Sequence, residues 1–269
     1  MNITIAAVNF SYPGGVTALA GVSLQVESGE AVAIVGENGA GKTTLVKHIN
    51  GLLRPNRGRV TVGDWDTAGH TVAELAGRVG YVFQNPDDQL FERTVRRELA
   101  FGPRNLGRNQ AEARASIDMA LTRTGLESLA ETHPYDLSFA QRKWVALASV
   151  LAMQTPIVIL DEPTAGQDGR GIAALGRLVE DLKAEGRTLV AISHDLDFVA
   201  DHFPRLVVMA DGGILADGPA AQVLAQTDLL RRAQVDPPQL VRLAAALGLP
   251  GLPTGVEPFL AAVREKAGG

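Results

Sequence analysis

Short apolar runs recur along the chain, and most of them are continuous rather than alternating. Residues 31–35 read Ala-Val-Ala-Ile-Val with no polar position. A run this short and this apolar fits a strand buried on both faces, the usual state of a parallel sheet. Ser28-Gly29-Glu30 places turn chemistry immediately ahead of it. Residues 3–10 and 22–26 also read as strands, and 60–62 and 79–83 follow. Further apolar β-type runs stand at 157–160, 188–192 and 206–209, with helix-like stretches between them. From 87 to 153 the pattern is mainly helical. The order of these elements predicts an α/β fold with a mainly parallel sheet core and a helical insertion.

Past the last core run, Gly212-Gly213 predicts a hairpin turn into residues 214–217, and the composition then turns helical. Asp236-Pro237-Pro238 is a good helix start, Leu240, Leu243 and Leu247 share one face, and Gly248 can end the helix. These signals divide the chain into a main domain over 1–229, with its helical part at about 87–153, and a C-terminal helical extension over 230–269. The last twenty residues add little.

Composition narrows the classes. The 269 residues fit one large α/β unit with a small appendage, and with 46% hydrophobic and 20% charged positions they can bury a substantial core. A net charge of −5 argues against a dominant electrostatic attraction to nucleic acid, so no nucleic-acid partner is expected. The chain has no cysteine, which excludes a disulfide framework and thiolate metal sites and agrees with a reducing compartment. Its first ten residues lack the basic-then-apolar pattern of a secretory signal. No apolar run approaches the roughly 20 residues that cross a bilayer. Any membrane role is therefore expected to be peripheral.

Chemistry enters where the 31–35 run ends. Gly36-Glu37-Asn38-Gly39-Ala40-Gly41-Lys42-Thr43-Thr44 satisfies the phosphate-loop pattern directly after Val35. Glycines let the backbone fold around phosphates with its N–H groups pointing inward, and the helix that follows presents its positive end. Lys42 would neutralise β- and γ-phosphate oxygens, and Thr43 would hold Mg²⁺. Downstream, the apolar run 157–160 delivers Asp161 and Glu162 at its C-terminal end, where open α/β sheets bind ligands. Asp161 would orient a Mg²⁺-bound water. Glu162 would act on the attacking water as general base, a role worth roughly 10²- to 10⁴-fold in rate. A glycine-rich turn and a loop that happens to begin with acids would explain each motif singly. Together they predict a nucleotide hydrolase.

Three more segments fall in a telling order. Leu137-Ser138-Phe139-Ala140-Gln141 stands shortly before Asp161, Ala165-Gly166-Gln167-Asp168 follows it, and His194 follows the 188–193 stretch. In this order they resemble the signature, D-loop and switch histidine of ABC-type ATPases. The resemblance implies the ABC-type phosphate-loop fold, with an antiparallel β subdomain and a helical subdomain beside the parallel core. It also implies a dimer in which each ATP is sandwiched between one subunit's phosphate loop and the other's signature segment. Gly36, Asn38, Gly39, Ala40, Gly41, Lys42, Thr43 and Thr44 would bind nucleotide in cis. Ser138, Gln141 and Asp168 belong to the segments that complete the composite site, with Ser138 touching the γ-phosphate in trans. His194 would contact the γ-phosphate in cis and help hold the attacking water. Tyr12 falls where many such proteins stack an aromatic on adenine.

A narrower resemblance rests on Phe83-Gln84-Asn85-Pro86-Asp87-Asp88-Gln89-Leu90-Phe91. Gln84 matches the Q-loop glutamine expected near Mg²⁺ and the attacking water. The continuation resembles that of the ATPases of energy-coupling-factor importers, which take up vitamins and nickel or cobalt ions. Helix capping alone accounts for the residue types, since Asn85 can cap, Pro86 suits a first helical position and Asp87 with Asp88 favours the helix dipole. The importer resemblance implies a motor subunit that binds ATP and Mg²⁺. Its expected partners are a second ABC ATPase subunit, a transmembrane coupling protein and a substrate-binding membrane protein. The C-terminal extension would then serve dimerisation, or be an ordinary packed appendage.

Two departures matter. Phe139 and Ala140 occupy the positions of the two signature glycines, and Trp144 stands where a basic residue usually follows. Phenylalanine adds bulk where a phosphate is normally approached by bare backbone. The change predicts unequal ATP sites in a heterodimer, with this chain paired to an ATPase whose signature segment is intact. The alternatives are a homodimer in which Phe139 turns away from the phosphate and Ala140 donates normally, and a partner that binds nucleotide without hydrolysing it. A soluble ABC ATPase acting on DNA or ribosomes is disfavoured, because the interval between Lys42 and Asp161 leaves no room for long arms and no second phosphate loop is present.

Overall fold

A computed structural model describes residues 1–249 and 255–268. Two sheets organise it. The first is antiparallel and contains β1 (Ile3–Ser11), β2 (Thr17–Val26), β4 (Arg57–Val62) and β5 (Trp65–Asp66), in the order β2-β1-β4-β5. In β1, Ile3, Ile5, Val8 and Phe10 point inward, and the step from Ile5 to Val8 breaks the two-residue period. Ala7 takes a positive φ of 47° there, so the strand carries a bulge that resets which side faces the core.

The second sheet has six strands in the order β10-β9-β3-β8-β7-β6. These are β3 (Ala31–Val35), β6 (Val79–Val82), β7 (Ile157–Asp161), β8 (Thr188–Ile192), β9 (Arg205–Ala210) and β10 (Gly213–Pro219). All neighbours run parallel except β10 against β9. Every residue of β3, β7 and β8 is buried, which is why those runs contain no alternation. Ala31, Ala33 and Val35 of β3 pack into one cluster with the helices, while Val32 and Ile34 pack into another with the antiparallel sheet.

Helices cover the parallel sheet. They are α1 (Lys42–Ile49), the single turn α2 (Val72–Leu75), α3 (Val95–Asn105), α4 (Gln110–Thr124), α5 (Phe139–Met153), α6 (Gly169–Ala184) and α7 (Leu196–His202). Helices α3, α4 and α5 lie between β6 and β7 in sequence and supply the predicted helical insertion. After β10 come α8 (Ala220–Leu224), α9 (Thr227–Arg232), α10 (Gln239–Ala246) and α11 (Val256–Gly268). No described helix is long and apolar enough to cross a membrane.

Several boundaries differ from the sequence pattern for physical reasons. The β9–β10 turn is centred on Asp211 and Gly212, with φ of 50° and 73°, one residue earlier than Gly212-Gly213. Two successive positive φ values suit the tight hairpin turn whose twist matches its strands. On α10 the buried positions are Val241 and Ala244, with Leu240 partly packed, while Leu243 and Leu247 face outward at 46% and 45% exposure. Gly248 ends this helix region with a φ of 61°. Residues 250–254 and 269, part of the expected C-terminal extension, lie outside the described residues.

Candidate nucleotide site

The phosphate loop occupies the turn between β3 and α1. Its glycines are demanded by neighbouring backbone. A Cβ on Gly41, whose φ is 98°, would stand 2.4 Å from the Ala18 carbonyl oxygen, and one on Gly36 would stand 2.1 Å from that of Met209. Ala40 is buried and packs behind the loop. Lys42 is almost fully buried, and its Nζ donates to the carbonyls of Gly36 at 2.7 Å and Glu37 at 2.8 Å. The ammonium thus closes the mouth of its own loop. Burial pushes its pKa down, and the nearby charges of Glu162, Asp161 and Glu37 oppose that shift.

Asp161 is the last residue of β7 and is 2% exposed. The Tyr81 hydroxyl donates to Asp161 Oδ2 at 2.7 Å, whereas Oδ1 is buried without a hydrogen-bond partner. Burial pushes the Asp161 carboxyl up, while the Tyr81 hydrogen bond, the nearby Thr43 hydroxyl and the charges of Lys47 and Lys143 pull it down. Burial also pushes the Tyr81 hydroxyl up, reinforced by the Asp161 charge. An orphaned carboxylate oxygen beside a threonine hydroxyl fits a small divalent cation that prefers oxygen ligands.

Glu162 follows with a φ of 49°, a left-handed conformation that a non-glycine residue rarely adopts. Its N–H donates to the Ile192 carbonyl at 2.9 Å, and its Oε2 accepts from the His194 N–H at 3.2 Å. His194 Nε2 lies 3.2 Å from Oε1, so strand β8 supplies all three contacts through the residues at and just past its end. Burial raises the Glu162 carboxyl, with the His194 N–H working against it. Burial lowers His194, and the Lys42 charge adds to that.

These groups meet in one open cleft of about 270 Å³. Of the residues selected from sequence, Tyr12, Asn38, Gly39, Gly41, Lys42, Thr43, Thr44, Gln84, Asp161, Glu162 and His194 line it. Gly36 and Ala40 shape the loop from behind. Tyr12 is 39% exposed, and its hydroxyl lies 2.9 Å from Thr44 Oγ1. Val16, Thr17, Ala18 and Ile192 also line the cleft. Nothing in their residue types marks them out, because they contribute position rather than chemistry.

Ser138, Gln141 and Asp168 do not line this cleft. Ser138 and Gln141 form a reciprocal capping box at the start of α5, with the Gln141 N–H donating to Ser138 Oγ at 3.3 Å and the Ser138 N–H to Gln141 Oε1 at 3.0 Å. Asp168 caps α6 by accepting from the Gly171 N–H at 2.8 Å. The Phe139 ring lies against Gly166, where an added Cβ would come within 2.7 Å of the ring. The indole N–H of Trp144 donates to Gln167 Oε1 at 3.0 Å, and Gln167 Nε2 donates to the Ala140 carbonyl at 3.2 Å. The residues that depart from the signature pattern therefore contact the 165–168 segment of the same chain.

The Gln84 side of the cleft is tied to α5. Asn85 caps a short 3₁₀ turn at Pro86–Asp88, as its residue types predict. Asp87 Oδ1 pairs with Arg142 Nε at 2.9 Å. Gln89 accepts from the Phe83 N–H at 3.1 Å and donates to the Ala146 carbonyl at 2.8 Å and Ser149 Oγ at 3.0 Å.

A glycine loop between a buried strand and a helix, facing two carboxylates at the end of a nearby parallel strand, defines a phosphate-loop nucleotide-binding fold. Residues 19–165 match the family described as ABC transporter, and the chain belongs to that family, as an ATP-binding and ATP-hydrolysing transporter subunit. It is 40% identical to the energy-coupling factor transporter ATP-binding protein EcfA of Methanocaldococcus jannaschii, over 88% of this chain and 86% of that one. It is 43% identical to the cobalt import ATP-binding protein CbiO of Rhodobacter capsulatus, again over 88% and 86%. Among solved structures, cbiO1 of Clostridium perfringens, part of the ABC transporter complex cbiONQ, superposes with a TM-score of 0.77 at 34% identity. That match covers 92% of this chain and 98% of the other.

Proposed function

We propose that this chain is the motor subunit of an energy-coupling-factor importer for a vitamin or for nickel or cobalt ions, working as a dimer on the cytoplasmic face of the membrane. The observation that carries the reading is the convergence of Lys42, Thr43, Gln84, Asp161, Glu162 and His194 in one cleft whose Gln84 side is fastened to the helix bearing the signature segment. Likeness to EcfA and CbiO supports the importer class.

In this reading the loop N–H groups and Lys42 bind the phosphates of ATP, and Tyr12 stacks on adenine. Thr43, Asp161 and Gln84 would hold Mg²⁺, which would supply charge compensation for the phosphates. Glu162 takes a proton from the attacking water as its oxygen bonds to the γ-phosphorus. The bond from that phosphorus to the bridging oxygen breaks, and ADP and phosphate leave. His194 holds Glu162 on one side and contacts the γ-phosphate on the other. A carboxyl raised by burial is a stronger base than an exposed one, which suits this task.

The second subunit contributes Ser138, Gln141 and Asp168 to each composite site. The Phe139 ring is engaged by Gly166 of its own chain, and this supports a signature segment whose Phe139 and Ala140 N–H groups remain open to phosphate, while that of Gln141 is held by Ser138. Two copies of this chain are then sufficient for hydrolysis. Residues 1–229 form the ATPase domain, and 230–269 are an extension whose outward Leu243 and Leu247 serve dimerisation.

Purification from the native membrane tests the assignment. A small substrate-binding membrane protein and a transmembrane coupling subunit should co-purify; ribosomal proteins or DNA in their place refute it. Lys42→Ala should abolish tight ATP binding. Glu162→Gln should keep binding and lose at least ~10² in turnover. Ser138→Arg should lower turnover by the purified lone chain.

A further inference from the structure

We propose that Lys143 is a positioning residue for ATP hydrolysis, holding the backbone of Glu162 and so making the general base depend on where α5 stands. The inference rests on the reading of Glu162 as the base. Lys143 is 4% exposed, with the buried Ala146 and Leu147 one turn further along the same face of α5. A cation so placed needs partners to offset its lost hydration. Its Nζ donates to the backbone carbonyl of Glu162. Burial lowers its pKa, and the charges of Glu162 and Asp161 counter that.

The contact falls on the residue that most needs one. Glu162 has a φ of 49°, and such a conformation persists only where the surroundings hold it. Its N–H is held from the sheet by Ile192, and its carbonyl is held from α5 by Lys143. Peptide groups on both sides of one Cα are thereby fixed, which sets the direction in which the carboxylate leaves the backbone. Farther along the same loop, Trp144 and Ala140 grip Gln167, and Phe139 covers Gly166. The first two turns of α5 thus latch the segment 162–167, and the other side of α5 is fastened to residues 83–91 through Asp87 and Gln89. A shift of α5 is passed to Glu162 through Lys143.

Lys143→Met keeps length and apolar bulk and removes the donor. In the full chain, kcat for ATP should fall about 10- to 10²-fold, the penalty of a slightly misplaced catalytic group, while KM for ATP stays unchanged. Lys143→Arg, which retains a donor, should recover part of the loss. The effect must vanish when the base is absent: in a Glu162→Gln background under single-turnover conditions, adding Lys143→Met should cost nothing further. An equal loss in both backgrounds, or a folded Lys143→Met with wild-type kcat, overturns the inference while leaving the base reading intact. Wild-type turnover by Glu162→Gln alone overturns the base reading, and this inference with it. Should Lys143→Met fail to fold, Trp144→Phe releases Gln167 at little change in bulk. It should lower kcat with KM unchanged, and wild-type kcat in that variant refutes the latch.

Discussion

Gly41 and Gly39 offer a controlled measurement of how tightly the phosphate loop is wedged between the two sheets. Both have left-handed backbone, with φ of 98° and 89°. Alanine at either position pays a similar conformational strain of roughly 1–2 kcal/mol. They differ in surroundings. A Cβ at Gly39 meets nothing within 4 Å, whereas at Gly41 it lies 2.4 Å from the Ala18 carbonyl oxygen and 3.0 Å from Leu19 Cδ2. Relieving that overlap means moving two backbones apart by about 1 Å, and forced overpacking of this kind costs about 1–3 kcal/mol. Gly39→Ala should therefore lose the strain alone, and Gly41→Ala should lose 1–3 kcal/mol more, each kcal/mol appearing as roughly 2–4 °C in Tm for a chain of this size. Thermal unfolding of both variants without nucleotide reads the difference directly. Equal Tm values for the two would refute the wedge, because strain is common to both.

Other expectations follow from contacts away from the loop. Reversing the charge at Asp87 breaks its pair with Arg142 and should uncouple vesicle transport from ATP turnover; exchanging the two as Asp87→Arg with Arg142→Asp should restore part of the coupling, and unchanged transport in the single variant would reduce the segment to a capped turn. Glu98 is buried and accepts from the N–H groups of Phe91 and Glu92, and burial raises its pKa. Its ionisation is then harder in the folded state, so its contribution is full below the ordinary carboxylate range and is lost as pH rises through the raised value. Tm of wild type minus Tm of Glu98→Gln should decrease as pH rises from the ordinary carboxylate range through the raised value, and a flat difference would contradict the shift. Arg205 makes two bonds to Asp217 and also reaches Glu30 and the Gln25 carbonyl, joining the two sheets. Arg205→Met should cost about 1–3 kcal/mol in denaturant unfolding, a loss that shrinks as salt rises.

Much of the site could be read from the sequence because its parts obey local rules. A phosphate loop must follow a buried strand and begin a helix, and Val35 and Lys42 bracket it in that way. Asp161 and Glu162 stood out because two acids ended an apolar run. The Asn85 cap was legible for the same reason. Lys143 was not, since a lysine next to an arginine on a helix reads as solvated, and its burial is decided by what packs on α5 from elsewhere. The roles of Trp144 and Phe139 were hidden likewise: each contacts a segment more than twenty positions away, which no periodicity encodes. Strand β5 has two residues and exists only because β4 offers an edge. The outward turn of Leu243 and Leu247 reflects which face of α10 met the rest of the chain, and a shared face in sequence does not say which side that is.

Strand order also governs how the protein is made. Strands β3, β8, β7 and β6 are neighbours in that order, and each carries one part of the cleft at or just past its end: the phosphate loop, His194, the two acids and Gln84. In the chain, however, β8 comes last of the four. While a ribosome has released only the residues before Thr188, β3 and β7 have no strand to join them, and their apolar edges stay unpaired. A ligand stabilises a fold only once its site exists. ATP therefore cannot bridge the phosphate loop and the two acids across a paired sheet until β8 has emerged, however abundant it is in the cell. Until β8 emerges, protection of those edges falls to the nascent chain's own collapse or to a chaperone.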